Sequence, residues 1–110
     1  MDRVEIALLI RRTLDDYADI LAKVKDRQVE RIYQDETGHY ELMLIGWEGW
    51  RRIHGCVLHI DLIDGKIWIQ QDGTEYGIAA DFLEAGVTKE EIVLGFQPPG
   101  KRPYTGFAVN

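Results

Sequence analysis

Apolar or semi-apolar residues near the start of the chain follow the three-and-four spacing of one helix face. They are Ile6, Leu9, Ile10, Thr13, Leu14, Tyr17, Ile20, Leu21 and Val24. This spacing predicts a helix over about residues 2 to 25. The opposite face contains the charged residues Arg12, Asp15, Asp16, Asp19 and Lys23. A charged run of this kind is typical of a helix face in contact with solvent.

The centre of the chain predicts four strands joined by short turns. The strands cover residues 29–35, 40–47, 52–63 and 66–71. The pair Asp64-Gly65 between the last two is a strong signal for a two-residue hairpin turn. Because residues 40–47 are apolar on both sides, this strand predicts a sheet that needs cover on both faces.

A second helix is predicted after the sheet. Asp72-Gly73-Thr74 ends the strand pattern, and Thr74 is a suitable N-cap for a helix that continues to about residue 85. Gly86 then fits the left-handed conformation that commonly ends a helix.

The last part of the chain predicts one more strand and a tail. Thr88 with Glu91 three residues later indicates a capping box, followed by a strand over residues 92–96. Residues 104–109 either form an edge strand or pack down as an ordered tail. The predicted fold is α+β in one domain, residues 1–110: an N-terminal helix, a four-stranded antiparallel meander sheet, a second helix, a short C-terminal strand and an ordered tail.

Composition and charge limit the classes of protein to which the chain can belong. The chain has 110 residues with 45% hydrophobic content, enough for one core, and no apolar run approaches the ~20 residues that span a bilayer. Thirteen basic and nineteen acidic residues give a net charge of −6, which disfavours autonomous binding to phosphate backbone. The first residues lack the features of a signal peptide and Cys56 is the one cysteine, so we expect a cytoplasmic protein.

Two sets of residues invite a metal or catalytic hypothesis. His54, Cys56 and His59 lie within six residues, but strand alternation places His59 on the side opposite to the other two. The three could converge only through a bulge, which Gly55 would permit. We therefore expect no metal site, no cofactor and a core position for Cys56, on the apolar side that also includes Leu58, Ile60 and Leu62. Asp72 and Glu75 at the predicted helix start are best interpreted as a cap and a favourable dipole charge.

The predicted hairpin register defines a candidate surface. A two-residue turn at Asp64-Gly65 pairs Asp61 with Trp68 and His59 with Gln70 on the side away from the core. The candidate partner-binding residues are Val57, His59, Asp61, Trp68, Gln70 and, at a hairpin tip, Trp50. Ile63 flanks this surface. A large aromatic residue among polar groups is typical of an interface. The tail adds a basic grouping of Lys101, Arg102 and Tyr104 as a candidate contact.

Several long strings of the sequence are similar to those of one protein family. They are Gly55-Cys56-Val57-Leu58-His59-Ile60-Asp61, Gly65-Lys66-Ile67-Trp68-Ile69-Gln70, Asp72-Gly73-Thr74-Glu75 and the ending VTKEEIVLGFQPPGKRPYTGFAV. These strings resemble the XisI family, the excision-controlling factors named after the fdxN element of nitrogen-fixing cyanobacteria. The resemblance implies an accessory protein that acts with a companion, XisH, and a site-specific recombinase. It supplies no catalytic motif to transfer to this chain.

We therefore expect a non-enzymatic interaction protein that binds a XisH-type companion, forms a homo-oligomer and affects DNA indirectly. The expected self-association follows from a sheet with more apolar face than two helices cover. One rival hypothesis is a small hydrolase or nuclease subunit that uses His59 and Asp61 with Asp72 or Glu75. Another is weak direct DNA binding through the C-terminal tail.

Overall fold

Five strands form a single sheet in the computed structural model, which describes residues 1–110. The strands are β1 (Arg27–Gln34), β2 (His39–Glu48), β3 (Arg51–Ile63), β4 (Lys66–Asp72) and β5 (Ile92–Leu94). They lie side by side in sequence order, and the first four form an antiparallel meander. The short β5 joins the same sheet parallel to β4. The predicted α+β fold and its four-stranded meander are confirmed.

Both helices pack against one face of this sheet. They are α1 (Arg3–Leu21) and α2 (Ala79–Glu84). The core contains Ile6, Ile10, Leu14 and Ala18 from α1, Phe82 from α2, and Tyr40, Leu42, Leu58, Ile60, Leu62, Ile67 and Ile69 from the sheet. We call the helix-covered side the inner face and the opposite side the outer face. Neither helix has the length and apolar character needed to cross a membrane.

The first helix is shorter than its apolar spacing predicts. Asp2 caps its start by accepting a hydrogen bond from the Glu5 amide at 2.8 Å. The helix ends at Leu21 rather than near residue 25, because the chain must turn back into β1 within five residues. Asp26 makes this reversal with a φ of 60°.

The second helix begins later than predicted, and Thr74 is not its N-cap. Asp72 accepts hydrogen bonds from the amides of Thr74 and Ile78, at 3.0 and 2.9 Å, and so holds the intervening residues as a loop. Gly77 has a φ of 83°, which a continuous helix excludes. The predicted helix stop is confirmed, since Gly86 has a φ of 104°.

The C-terminal segment forms an ordered tail rather than a full strand. The predicted capping box is present, with Glu91 Oε1 accepting from the Thr88 amide at 3.0 Å. The last residues return to the sheet, where Ala108 makes one parallel bridge to Val93. Val93 is fully buried but lies outside the main core, so the tail covers the outer face at this end of the sheet.

An extra residue in β3 reverses part of the predicted face pattern. Leu58 pairs with Leu42 and Cys56 pairs with Met43, which leaves Val57 without a partner on β2. Such a bulge exchanges the faces of all residues beyond it. Val57 therefore packs against the inner core and Cys56 points to the outer face, so both predictions for these residues are wrong. The separation of Cys56 from His59 onto opposite sides is wrong for the same reason.

A second bulge lies between β3 and β4. Asp61 pairs with Trp68 and Ile60 with Ile69, as the Asp64-Gly65 turn predicts. His59, however, pairs with Gln71 rather than Gln70. Gln70 is the extra residue at this bulge, and its side chain stays on the outer face.

Candidate functional site

The outer face of the two central strands presents a four-residue polar cluster, which we call the His–carboxylate cluster. It consists of His39, Glu41, His59 and Asp61. His39 lies directly opposite Asp61, and Glu41 lies directly opposite His59. Because strand residues two apart share a face, each imidazole has a carboxylate both beside it and across from it. The two rings meet edge to face, with centroids 4.6 Å apart.

The hydrogen bonds of the cluster converge on one carboxylate oxygen. Asp61 Oδ1 lies 2.9 Å from His39 Nδ1 and 3.1 Å from His59 Nε2. The other ring nitrogen of His39 lies 2.9 Å from Glu41 Oε2. Gln70 Nε2 donates to the second oxygen of Asp61 at 3.2 Å. Every side chain of the cluster is thus held in place by at least one partner within the sheet.

The electrostatics of the cluster favour a charged His39. Its hydrogen bond to Glu41, reinforced by Asp61, raises the pKa of His39 above its ordinary value despite partial burial. The same hydrogen bond lowers the pKa of Glu41. Both ring nitrogens face carboxylate oxygens, an arrangement in which the imidazolium form of His39 can donate in two directions.

Sequence reasoning missed half of this cluster because the bulge changes the strand register. The tight turn pairs Glu48 with Arg51. If the pairing continued from there without a bulge, the core residue Tyr40 would lie opposite the polar His59. The bulge moves Tyr40 opposite Ile60 and brings His39 opposite Asp61. The conflict between a tight turn and the hydrophobic pattern is the sequence signal for that bulge.

Cys56 lies beside the cluster on the outer face. Its Sγ donates to the Leu58 carbonyl oxygen at 3.3 Å. Burial, with a smaller contribution from neighbouring Glu41, raises the pKa of the thiol to about 11. The thiol therefore stays protonated at neutral pH, which argues against a nucleophilic role.

Apolar side chains surround the cluster on the rest of the outer face. Met43 and Ile45 are half-buried, and three others are more exposed: Ile32 at 38%, Trp47 at 49% and Ile63 at 42%. Neither helix covers this side, because both pack on the inner face. The outer face is thus a broad surface with a polar centre and apolar surroundings.

The predicted interface residues have different environments. His59, Asp61 and Gln70 come together as expected, whereas Val57 lies on the other side of the sheet. Trp68 is half-buried beneath the guanidinium of Arg102, whose Cζ lies 5.2 Å from the ring centroid.

The predicted contact residues at the hairpin tip and in the tail differ in their exposure to solvent. Trp50 is fully exposed at the turn between β2 and β3. Within the predicted basic grouping, Arg102 is bound to the protein itself, while Lys101 and Tyr104 remain exposed.

The structure does not bring Asp72 or Glu75 to the His–carboxylate cluster. Asp72 pairs with Leu58, an inner-face residue, and its carboxylate is bonded within the loop before α2. The charges of Asp72 and Glu75 act on Tyr17 of α1 and help to raise its pKa, after the larger effect of burial. These carboxylates therefore lie on the helix side, away from His59 and Asp61.

The sequence and the fold match known proteins over their full length. The family model described as XisI protein matches residues 1–109. A XisI-like protein from Anabaena variabilis, solved as a crystal structure, is 40% identical, with a TM-score of 0.91 over 99% of this chain and 100% of that one. The fdxN element excision controlling factor XisI of the same organism is 30% identical, with a TM-score of 0.86 over the same shares. No curated protein matches the sequence.

Proposed function

The chain belongs to the XisI family, and from this premise we propose that it is an excision-controlling factor that acts by protein–protein contact rather than by catalysis. The observation that supports this role is the part of the outer face over β1 to β3, which neither the helices nor the C-terminal tail covers. Its exposed aromatic and aliphatic residues around a polar centre have the composition of a protein interface. An open sheet surface of this kind suits a partner better than a small substrate, which needs a concave site.

The proposed partners are a XisH-type companion and further copies of this chain. Trp47 is the main candidate anchor, because a half-exposed tryptophan gains most when a partner buries it. Ile32 and Ile63 extend the apolar area on either side of the cluster. Trp50, fully exposed at the hairpin tip, is a further candidate contact.

The proposed effect on DNA is indirect. The net charge of −6 opposes contact with phosphate backbone. In the tail, Arg102 is committed to Trp68 and to backbone carbonyls, so only Lys101 is a free cation of the predicted basic grouping. A recombination complex would therefore recruit this chain through protein surfaces.

The experiment compares two exposed apolar sites on opposite sides of the molecule. Ile32→Glu and Trp47→Ala alter the outer face, while Leu8→Glu alters the exposed side of α1, where Leu8 is 55% exposed. Binding to a purified XisH-type companion is measured by light scattering after size-exclusion chromatography and by calorimetry. The outer-face variants should weaken binding by about tenfold or more, and Leu8→Glu should leave it unchanged.

The opposite pattern, with binding lost only in Leu8→Glu, would contradict the proposal. Sedimentation of the chain alone tests self-association with the same three variants. Electrophoretic mobility at about 0.15 M salt tests direct DNA binding. Tight binding of duplex DNA by the chain alone would refute the indirect role.

A further inference from the structure

Three side chains of the His–carboxylate cluster place potential metal-ligand atoms close together. The potential ligand atoms of His39, His59 and Asp61 all lie within 4.8 Å of one another. Two of the separations, 2.9 and 3.1 Å, are those of hydrogen bonds to the single oxygen Asp61 Oδ1. Ligand atoms around a tetrahedral zinc ion lie about 3.3 Å apart, given bond lengths near 2.0–2.1 Å. These two separations are close to the coordination value, and the two histidine nitrogens, within 4.8 Å of each other, would move closer together around an ion.

A divalent ion would replace protons in the cluster. Because the carboxylate oxygen Asp61 Oδ1 can only accept, the nitrogens that face it, His39 Nδ1 and His59 Nε2, each donate a proton in these hydrogen bonds. Both nitrogens must lose that proton to coordinate an ion, which would then lie between two neutral imidazoles and one carboxylate. Glu41 would remain bonded to the other nitrogen of His39.

The surroundings already provide the outer support that metal ligands need. Glu41 accepts from His39 Nε2 at 2.9 Å, as carboxylates commonly do behind a metal-bound histidine. Gln70 fixes the free oxygen of Asp61 at 3.2 Å. These groups belong to three adjacent strands, so the sheet itself restricts their positions.

The cluster is accessible to an ion from solvent. The side chains of His39, His59 and Asp61 are 34%, 27% and 22% exposed. This leaves a fourth coordination position for water or for a partner's side chain. Two imidazoles with one carboxylate suit zinc and related first-row metals rather than calcium or magnesium, which prefer oxygen ligands.

We propose that His39, His59 and Asp61 bind one divalent transition-metal ion, with zinc as the expected occupant, at the centre of the outer face. This site is independent of the companion protein. It can therefore be tested on the isolated chain.

The test is titration of the tag-free full chain with Zn²⁺ by calorimetry at pH 7.5, and with Co²⁺ by visible absorption. We expect one ion per chain and a d–d spectrum typical of nitrogen and oxygen ligands. His39→Ala and His59→Ala should each weaken Zn²⁺ binding by about tenfold or more. His54→Ala is the matched control, because His54 lies on β3 like His59, is exposed, and is outside the cluster. It should bind Zn²⁺ as the unaltered chain does.

Two further variants keep the result decisive. Asp61→Asn preserves the size of the side chain and should fold while losing most of the affinity. Cys56→Ser should bind normally, and a thiolate charge-transfer band with Co²⁺ would instead assign the ion to Cys56. Absence of Zn²⁺ binding at about 1 mM, or equal losses in His54→Ala and His59→Ala, would overturn the proposal. Circular dichroism without metal checks that each variant is folded.

Discussion

Arg102 lies over the ring of Trp68, with its guanidinium carbon 5.2 Å from the ring centroid. The same side chain donates to the carbonyl oxygens of Gln97, Gly95 and Val109, at 3.1, 3.4 and 3.5 Å. One residue thereby fastens the C-terminal tail to the outer face of the sheet. This relationship explains why a tryptophan expected to be exposed is half-buried.

Replacing Arg102 with alanine should release the tail. We expect Arg102→Ala to lower the free energy of unfolding by about 1–2 kcal/mol, since a cation–π contact and three exposed or partly buried hydrogen bonds are lost. Urea denaturation gives this value, and Lys101→Ala is the control because Lys101 is exposed. In a background without Trp47 and Trp50, Trp68 fluorescence should shift to longer wavelength. An unchanged spectrum would mean that the tail stays docked without Arg102.

Asp35 should contribute a pH-dependent part of the stability. It accepts two hydrogen bonds from Arg11, each at 3.0 Å, and one from Tyr40 at 2.8 Å. The Arg11 contacts, followed by Tyr40, lower the pKa of Asp35. Because its pKa is lower in the folded chain than in the unfolded one, the contribution is present above the unfolded value near 3.9 and is lost as pH falls further.

The comparison for Asp35 is urea denaturation of Asp35→Asn and the unaltered chain between about pH 6 and pH 3. The asparagine variant should lose less stability on acidification. We expect a difference below about 1 kcal/mol, because the Asp35 side chain is 54% exposed and solvent screens the pair. Parallel pH profiles would show that the pair adds nothing to folding.

Gly46 is expected to be intolerant of any side chain. A Cβ at this position would lie 2.1 Å from the carbonyl oxygen of Asp26, which also accepts from the Trp47 amide at 3.1 Å. Gly46→Ala must therefore push the start of β1 away and should cost about 1–3 kcal/mol. Gly55→Ala is the matched control, since a Cβ there meets nothing within 4 Å. Equal denaturation midpoints for the two variants would contradict this account.

Asp72 should matter for folding rather than for chemistry. Its carboxylate accepts from two amides and from the Thr74 hydroxyl, and so shapes the loop before α2. Asp72→Ala should cost about 1–3 kcal/mol through the unpaired amides, and Asp72→Asn less. Glu75→Ala should be neutral in the same thermal-unfolding measurement because Glu75 is exposed. A neutral Asp72→Ala would show that the loop holds without this carboxylate.

Local signals predicted the elements well, while long-range register did not follow from them. The two-residue turn Asp64-Gly65 determines the register of its hairpin, and therefore Asp61 pairs with Trp68 as predicted. The extra residue Val57 changed the pairing farther along and moved Cys56 to the outer face. Because a bulge changes every residue pair beyond it, the alternation of apolar and polar residues alone could not reveal that His39 lies opposite Asp61.

The second helix shows a similar limit. The Thr74 hydroxyl does accept a hydrogen bond from the Gly77 amide at 3.1 Å, as an N-cap would. No helix follows directly, because Gly77 has a φ of 83° and α2 begins only at Ala79. A local capping pattern does not contain this change in the path of the chain. At the capping box of Thr88 and Glu91 the chain continues directly into a helical turn, as predicted.

The two edge strands of the sheet, β1 and β5, have a consequence for assembly. At one end, β1 presents Arg27, Glu30 and Arg31, and Arg31 is paired with Asp15 and Asp19 of the helix. Charged residues on an edge oppose the addition of another strand. At the other end, β5 has three residues and is followed by the bridge to Ala108. Neither edge strand is suited to pair repeatedly with strands of other molecules, so we expect finite complexes and not fibrils.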